Sequence, residues 1–202
     1  WINEEGLFMT LQEVVARFNT TPFLFAGSGI TRRYYGLPDW VGLLTHFAEK
    51  VKNDQFAFRY YESKVSELED SDKLPTIASY IEKDFNEAWF NNLPGIRSES
   101  ENVQRSIAEG VSPFKAEIAE YINSISVVKN EYQEEVKKLQ NIAKNNISGV
   151  ITTNYDCFFE ILFDGYKTFI GQDELVFSQL QGVAEIYKIH GSISNPESMV
   201  LT

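Results

Sequence analysis

Short apolar runs alternate with longer stretches of helical periodicity along this chain. The runs Pro22–Ala26, Gly149–Thr153 and Ala184–Ile189 each have the length of a buried strand, and each leads into small or polar residues. Lys167–Ile170 and Glu174–Phe177 are further β-prone runs, and Met199–Thr202 reads as a strand entering the same sheet. Helical spacing of Leu11, Val14, Val15 and Phe18 predicts a helix over residues 9–18, and Trp40, Leu43, Leu44 and Phe47 predict another over Trp40–Val51. From residue 52 to 146 the chain turns rich in Glu, Lys, Asn and aromatics, with helical patterns at Leu74–Phe90, Ser112–Ile125 and Glu131–Ile142. Ser112 reads as an N-cap with Pro113 at the first helical position, and Val136 and Leu139 face inward on the last of these helices. Asn91–Gly95 is a loop signal, and Cys157–Phe163 continues as an apolar helix. Strands alternating with helices predict an α/β fold, a Rossmann-like doubly wound parallel sheet. Residues 1–202 form one domain in this reading, with 52–146 as a helical insertion or subdomain.

Composition narrows the function classes. A net charge of −11 argues against a broad nucleic-acid or anionic-membrane surface, since both need clustered Lys and Arg. A small anionic ligand remains compatible with it. The single cysteine, Cys157, allows no internal disulfide and no cysteine-based zinc site, so no metal is expected. No apolar stretch approaches the roughly 20 residues needed to cross a bilayer. The first residues lack a signal-type pattern, and the acceptor-like Asn19 and Asn146 match at chance level, so a cytoplasmic location is expected. Beginning without Met and stopping on a strand-like run, the sequence reads as a fragment of a longer protein. Glu67–Asp72 is read as solvated surface.

The candidate chemistry lies just past the strands, where open α/β sheets bind ligands. Gly27-Ser28-Gly29 after Ala26 lets the backbone approach a diphosphate, and Thr31 follows it; a plain strand-to-helix turn is an equal alternative. Arg32 stands where the third glycine of a dinucleotide fingerprint would be. Arg32 and Arg33 have the chemistry to pair with phosphate, but at least one is read as a surface residue. Thr152-Thr153-Asn154-Tyr155-Asp156 offers side chains for a sugar or an amide, against the alternative of a helix cap. His190 before Gly191 sits where a base would act, whereas His46 reads as a packing or surface residue. Cys157 reads as core. Tyr34 and Tyr35 either cover a ligand or pack.

Taken together, these segments resemble the sirtuin superfamily. Gly27-Ser28-Gly29-Ile30-Thr31 is similar to its GAG-x-S turn and Gly36-Leu37-Pro38-Asp39-Trp40 to its GIPDF segment. Thr152-Thr153-Asn154-Tyr155-Asp156 is similar to its TQN-x-D, and His190-Gly191 to its catalytic HG. The four segments come in the family's order; residues 45–146 have no counterpart in it. Ser28 and Thr31 replace the family's alanine and serine, and four residues separate Thr31 from Gly36 where sirtuins usually have three. Val41 follows Trp40 where an arginine is usual, and Thr153 stands where deacylases carry glutamine. Their four-cysteine zinc ribbon follows the HG, and the sequence stops too soon after it to show one. These departures resemble the sirtuin-like NAD hydrolase domains of bacterial antiviral defence proteins.

The resemblance implies cleavage of NAD, as substrate, at its nicotinamide–ribose bond. It implies catalytic roles for Asn154 and His190. Ala26, Gly27, Ser28, Gly29, Thr31, Arg32, Asp39, Thr153 and Asp156 would bind the nucleotide. Partners implied are NAD, further copies of the chain, and a sensor region or partner protein. The alternatives are an NAD-dependent protein deacylase and a non-catalytic sensor of NAD or ADP-ribose.

Overall fold

Four short strands, β1 (Phe23–Ala26), β2 (Gly149–Thr152), β3 (Lys167–Ile170) and β4 (Glu185–Lys188), form one parallel sheet in the order β1-β2-β4-β3. The computed structural model describes residues 21–201 and, apart from residues 142–145 and 173, their side chains. The helix expected over 9–18 lies outside the described residues.

The mixed α/β architecture, with helices flanking an all-parallel sheet, is consistent with the Rossmann-like fold read from the sequence. Val150 and Ile186 pair in register at the sheet centre, fully buried, with Leu24 of β1 in the same row. On the opposite face Phe23 stacks on Tyr187 at 5.7 Å, while Phe25 is 68% exposed. β1 is an edge of the sheet in this strand order, and its outer face is incompletely covered at Phe25.

Helix α1 (Ser28–Tyr34) leaves β1 directly, and α2 (Trp40–Lys52) follows, capped by the Asp39 carboxylate, which accepts from Gly42 N at 2.9 Å. Five more helices precede β2: α3 (Ala57–Ser63), α4 (Asp70–Phe90), α5 (Glu101–Ala108), α6 (Pro113–Ile125) and α7 (Gln133–Asn146). Their core is aromatic. Phe47 meets the rings of Phe85 and Phe114, each 5.4 Å away, and Tyr121 at 5.9 Å. Ser112 caps α6, accepting from Lys115 N at 3.3 Å, with Pro113 in the first turn. Val136 is buried on α7 and Leu139 packs against the core, as their spacing predicts.

Two strand expectations are overturned. Glu174–Phe177 belongs to helix α9 (Gly171–Phe177), because Gly171 turns the chain at φ 78° and the Glu174 carboxylate reaches back to accept from Ile170 N. Met199–Leu201 forms no strand; it follows a 3-10 turn at Pro196–Ser198 and lies against the loop after β4, with Val200 N donating to the His190 carbonyl at 3.0 Å. The apolar helix after β2, α8, is confined to Phe158–Leu162.

Candidate functional site

The sheet register sets Ala26, Thr152 and Lys188 on one rung, so the loops beginning at Gly27, Thr153 and Ile189 leave the same edge side by side. Over this edge lies a cavity of about 400 Å³, a size typical of small-molecule sites. Ser28, Thr31, Thr153, Asn154, Asp156 and His190 give it a polar side. Leu37, Trp40, Leu43, Pro75, Ile122 and Leu201 close it with apolar surface. Pro75 and Ile122 come from α4 and α6, so the helices between β1 and β2 supply part of its wall.

Asn154 is the most constrained of the polar groups. It is 6% exposed, and its Nδ2 donates to the Gly27 carbonyl at 3.1 Å and to Thr31 Oγ1 at 3.4 Å. Its backbone N donates to Thr152 Oγ1 at 3.0 Å. With both amide donations directed into the protein, Oδ1 is left as the acceptor for a ligand. Thr31 is buried beside it and turns its hydroxyl back to the Ser28 carbonyl.

Asp156 stands one residue before the N-cap, Cys157, and satisfies a free N–H there as the cap alternative anticipates. Its Oδ1 accepts from Phe158 N at 3.0 Å at the start of α8. Burial pushes its carboxyl above the ordinary value, against the pull of that N–H and of Lys188. Tyr155 lies edge-on to Trp40 at 6.3 Å and donates its hydroxyl to the Val200 carbonyl at 2.6 Å. Burial raises that phenol to about 12, so it is a hydrogen-bond donor at neutral pH.

His190 is exposed and lines the cavity. Gly191 adopts φ 90°, and a Cβ there would lie 2.5 Å from the Ser198 carbonyl carbon and 2.7 Å from Met199 N. The space that glycine leaves at position 191 is therefore taken by the chain itself. A strap over 192–201 crosses it and delivers Val200 and Leu201 to the cavity. Gly27 and Gly29 have no positive φ, and a Cβ at Gly29 would meet nothing within 4 Å. The protein's own packing does not require glycine at Gly29, so backbone there is open to a ligand.

Ala26, Gly27, Gly29 and Arg32 border the site without lining the cavity. Arg32 pairs with Asp39 at 3.2 Å, both side chains well exposed, and Arg33 pairs with Glu135 at 2.9 Å. Tyr34 and Tyr35 pack on Phe158, at 5.2 and 5.4 Å. His46 stacks on Tyr121 at 4.2 Å, the packing role expected of it. Cys157 is partly buried, and burial followed by the Glu160 charge raises its thiol, which leaves it a poor nucleophile.

One residue escaped the sequence reading. Lys188, at the end of β4, is fully buried; its Nζ donates to the Asp156 carbonyl and pairs with Glu160 at 2.9 Å. Its one sequence signal is a charge inside an apolar run. Among the described residues no group of three or more His, Cys, Asp or Glu gathers as a metal site, and no helix is long and apolar enough to cross a membrane.

Comparison with curated proteins finds no match. Residues 148–202, the part of the chain that carries β2, β4, Asn154 and His190, match the family model of the SIR2-like domain, a similarity that supports a place in the sirtuin-like superfamily and NAD-related activity in general.

Proposed function

We propose that this protein hydrolyses NAD at the nicotinamide–ribose bond, as the effector of an antiviral defence system acting in the cytoplasm. The observation that carries the reading is the convergence of Ser28, Thr31, Asn154 and His190 on one cavity, at the carboxyl ends of three adjacent parallel strands. In this reading the Gly27-Ser28-Gly29 turn, open at Gly29, receives the diphosphate, with Thr31 beside the adjoining ribose. Asn154 Oδ1 orients the reactive ribose and the incoming water, its geometry fixed by the two bonds from Nδ2. His190 accepts a proton, or a hydrogen bond, from a ribose hydroxyl.

In the same reading Asp39 and Asp156 line the nicotinamide side, the alternative for Asp156 being a purely structural role at Phe158 N. As the C–N bond lengthens, positive charge builds on the ribose, and fixed dipoles in a partly apolar cavity stabilise it. Nicotinamide leaves with the bonding electron pair, and water adds to C1′ and releases a proton, giving ADP-ribose. The apolar wall from Leu37, Trp40, Leu43 and Ile122 limits how much bulk water reaches that centre.

The test is nicotinamide release from NAD without any acylated peptide. The parent protein is expected to turn over, and folded His190→Ala and Asn154→Ala variants to be inactive. Substantial turnover by either variant would sink the assignment of roles. Turnover only with an acylated peptide would identify a deacylase, and saturable NAD binding without release would identify a sensor. The defence role is tested in cells expressing the full-length protein, where NAD is expected to fall upon phage infection.

A further inference from the structure

The buried charge at Lys188 is the feature that the proposed chemistry leaves unused. An ammonium buried to 0% exposure is unfavourable unless it is paired and hydrogen-bonded. Lys188 meets both conditions with partners from one short stretch. Its Nζ donates to the backbone carbonyl of Asp156, and it forms an ion pair with Glu160 at 2.9 Å. The position of this link matters. Lys188 ends β4 two residues before His190, while Asp156 is two residues past Asn154.

Thr152, opposite Lys188 on the sheet, holds the other end of the same loop by accepting from Asn154 N at 3.0 Å. Glu160 uses one oxygen on the lysine, and its Oε2 has no partner among the described residues. The carboxylate thus compensates the ammonium without tying further parts of the fold together.

Resting on the NAD-cleaving reading above, we propose that Lys188 is a positioning residue that clamps the Asn154–Asp156 loop to β4 and so sets the relative placement of Asn154 and His190. It touches neither the cavity nor the reacting atoms. Its loss should therefore lower turnover far more than it weakens NAD binding.

The test compares the parent protein with Lys188→Met and with Lys188→Met/Glu160→Leu. The double variant removes both charges, and replacing a buried ion pair by apolar residues is often neutral for stability; it stands in if the single variant fails to fold. The rate constant for nicotinamide release should fall by about 100-fold, as for a small misplacement of catalytic groups. The NAD dissociation constant, measured by calorimetry, should stay within about threefold.

An independent arm reads amide hydrogen exchange. The Asn154 and Phe158 amides should exchange at least roughly tenfold faster, with Val150 and Ile186 unchanged. Unchanged loop exchange in a folded variant overturns the proposal, as does a dissociation constant that rises in step with the loss of turnover. If the parent protein neither binds nor cleaves NAD, the functional reading fails and the exchange arm alone decides the role of Lys188.

Discussion

At Gly191 the backbone conformation and the contact with Ser198–Met199 make the same demand, and both are met only without a side chain. Gly191→Ala should destabilise the protein by at least about 1–2 kcal/mol from the left-handed backbone alone. Displacement of the strap adds to this, and nicotinamide release should fall with it, because His190 is the preceding residue. Thermal denaturation and the release assay read the two effects separately.

Asp156 makes a prediction in pH. Because burial raises its pKa, the native carboxyl holds its proton more tightly than the unfolded chain does. Its stabilising contribution is full below the ordinary carboxylate range, near about pH 4, and is lost as pH rises through the higher native value. Asp156→Asn keeps an acceptor for Phe158 N and removes the titration. Its Tm at pH 7 should equal or exceed that of the parent, and its stability should vary less with pH above that range. A lower Tm at pH 7 would mean that the charge itself is stabilising, through Lys188.

Ser112 shows what one hydroxyl does for an element. It accepts from Lys115 N and donates to Glu82 at 2.9 Å, joining the start of α6 to α4. Ser112→Ala should cost about 1 kcal/mol, a fall in Tm of about 2–4 °C for a domain of this size, measurable by calorimetry. This cap was legible in the sequence because its signal is local: a serine, a proline and an apolar rhythm. The strands Phe23–Ala26, Gly149–Thr152 and Glu185–Lys188 were legible for the same reason.

Glu174–Phe177 reads as a strand because Val176 and Phe177 favour one, while a carboxylate four residues from Ile170 and a left-handed Gly171 start a helix. Lys188 shows in the sequence only as a charge inside an apolar run, since the carboxylate that pairs with it, Glu160, lies elsewhere in the chain. The far wall of the cavity was equally hidden. Nothing in the pattern around Pro75 or Ile122 says that these positions meet strand ends distant in sequence.

For the whole molecule, the aromatic centre around Phe47 joins α2, α4 and α6, three helices that supply part of the cavity's apolar wall. Phe47→Ala should cost about 3–5 kcal/mol, as for other buried phenylalanines. Loss of the wall's support should weaken NAD binding alongside the drop in denaturation midpoint. A large stability loss with unchanged NAD affinity would show that the wall does not depend on this centre.

The order of the strands carries a consequence for folding. Because β1 pairs with β2 across all of α1–α7, and β4 then seats itself between β2 and β3, the pocket depends on contacts between segments far apart in sequence. Closing such long loops is slow compared with forming helices. A chain emerging from the ribosome would thus build its helical layer first and gain a complete pocket only once the strap beyond β4 has docked. Any NAD-consuming capacity would then arise only after that strap has left the ribosome and docked, however well the helical layer has formed before it.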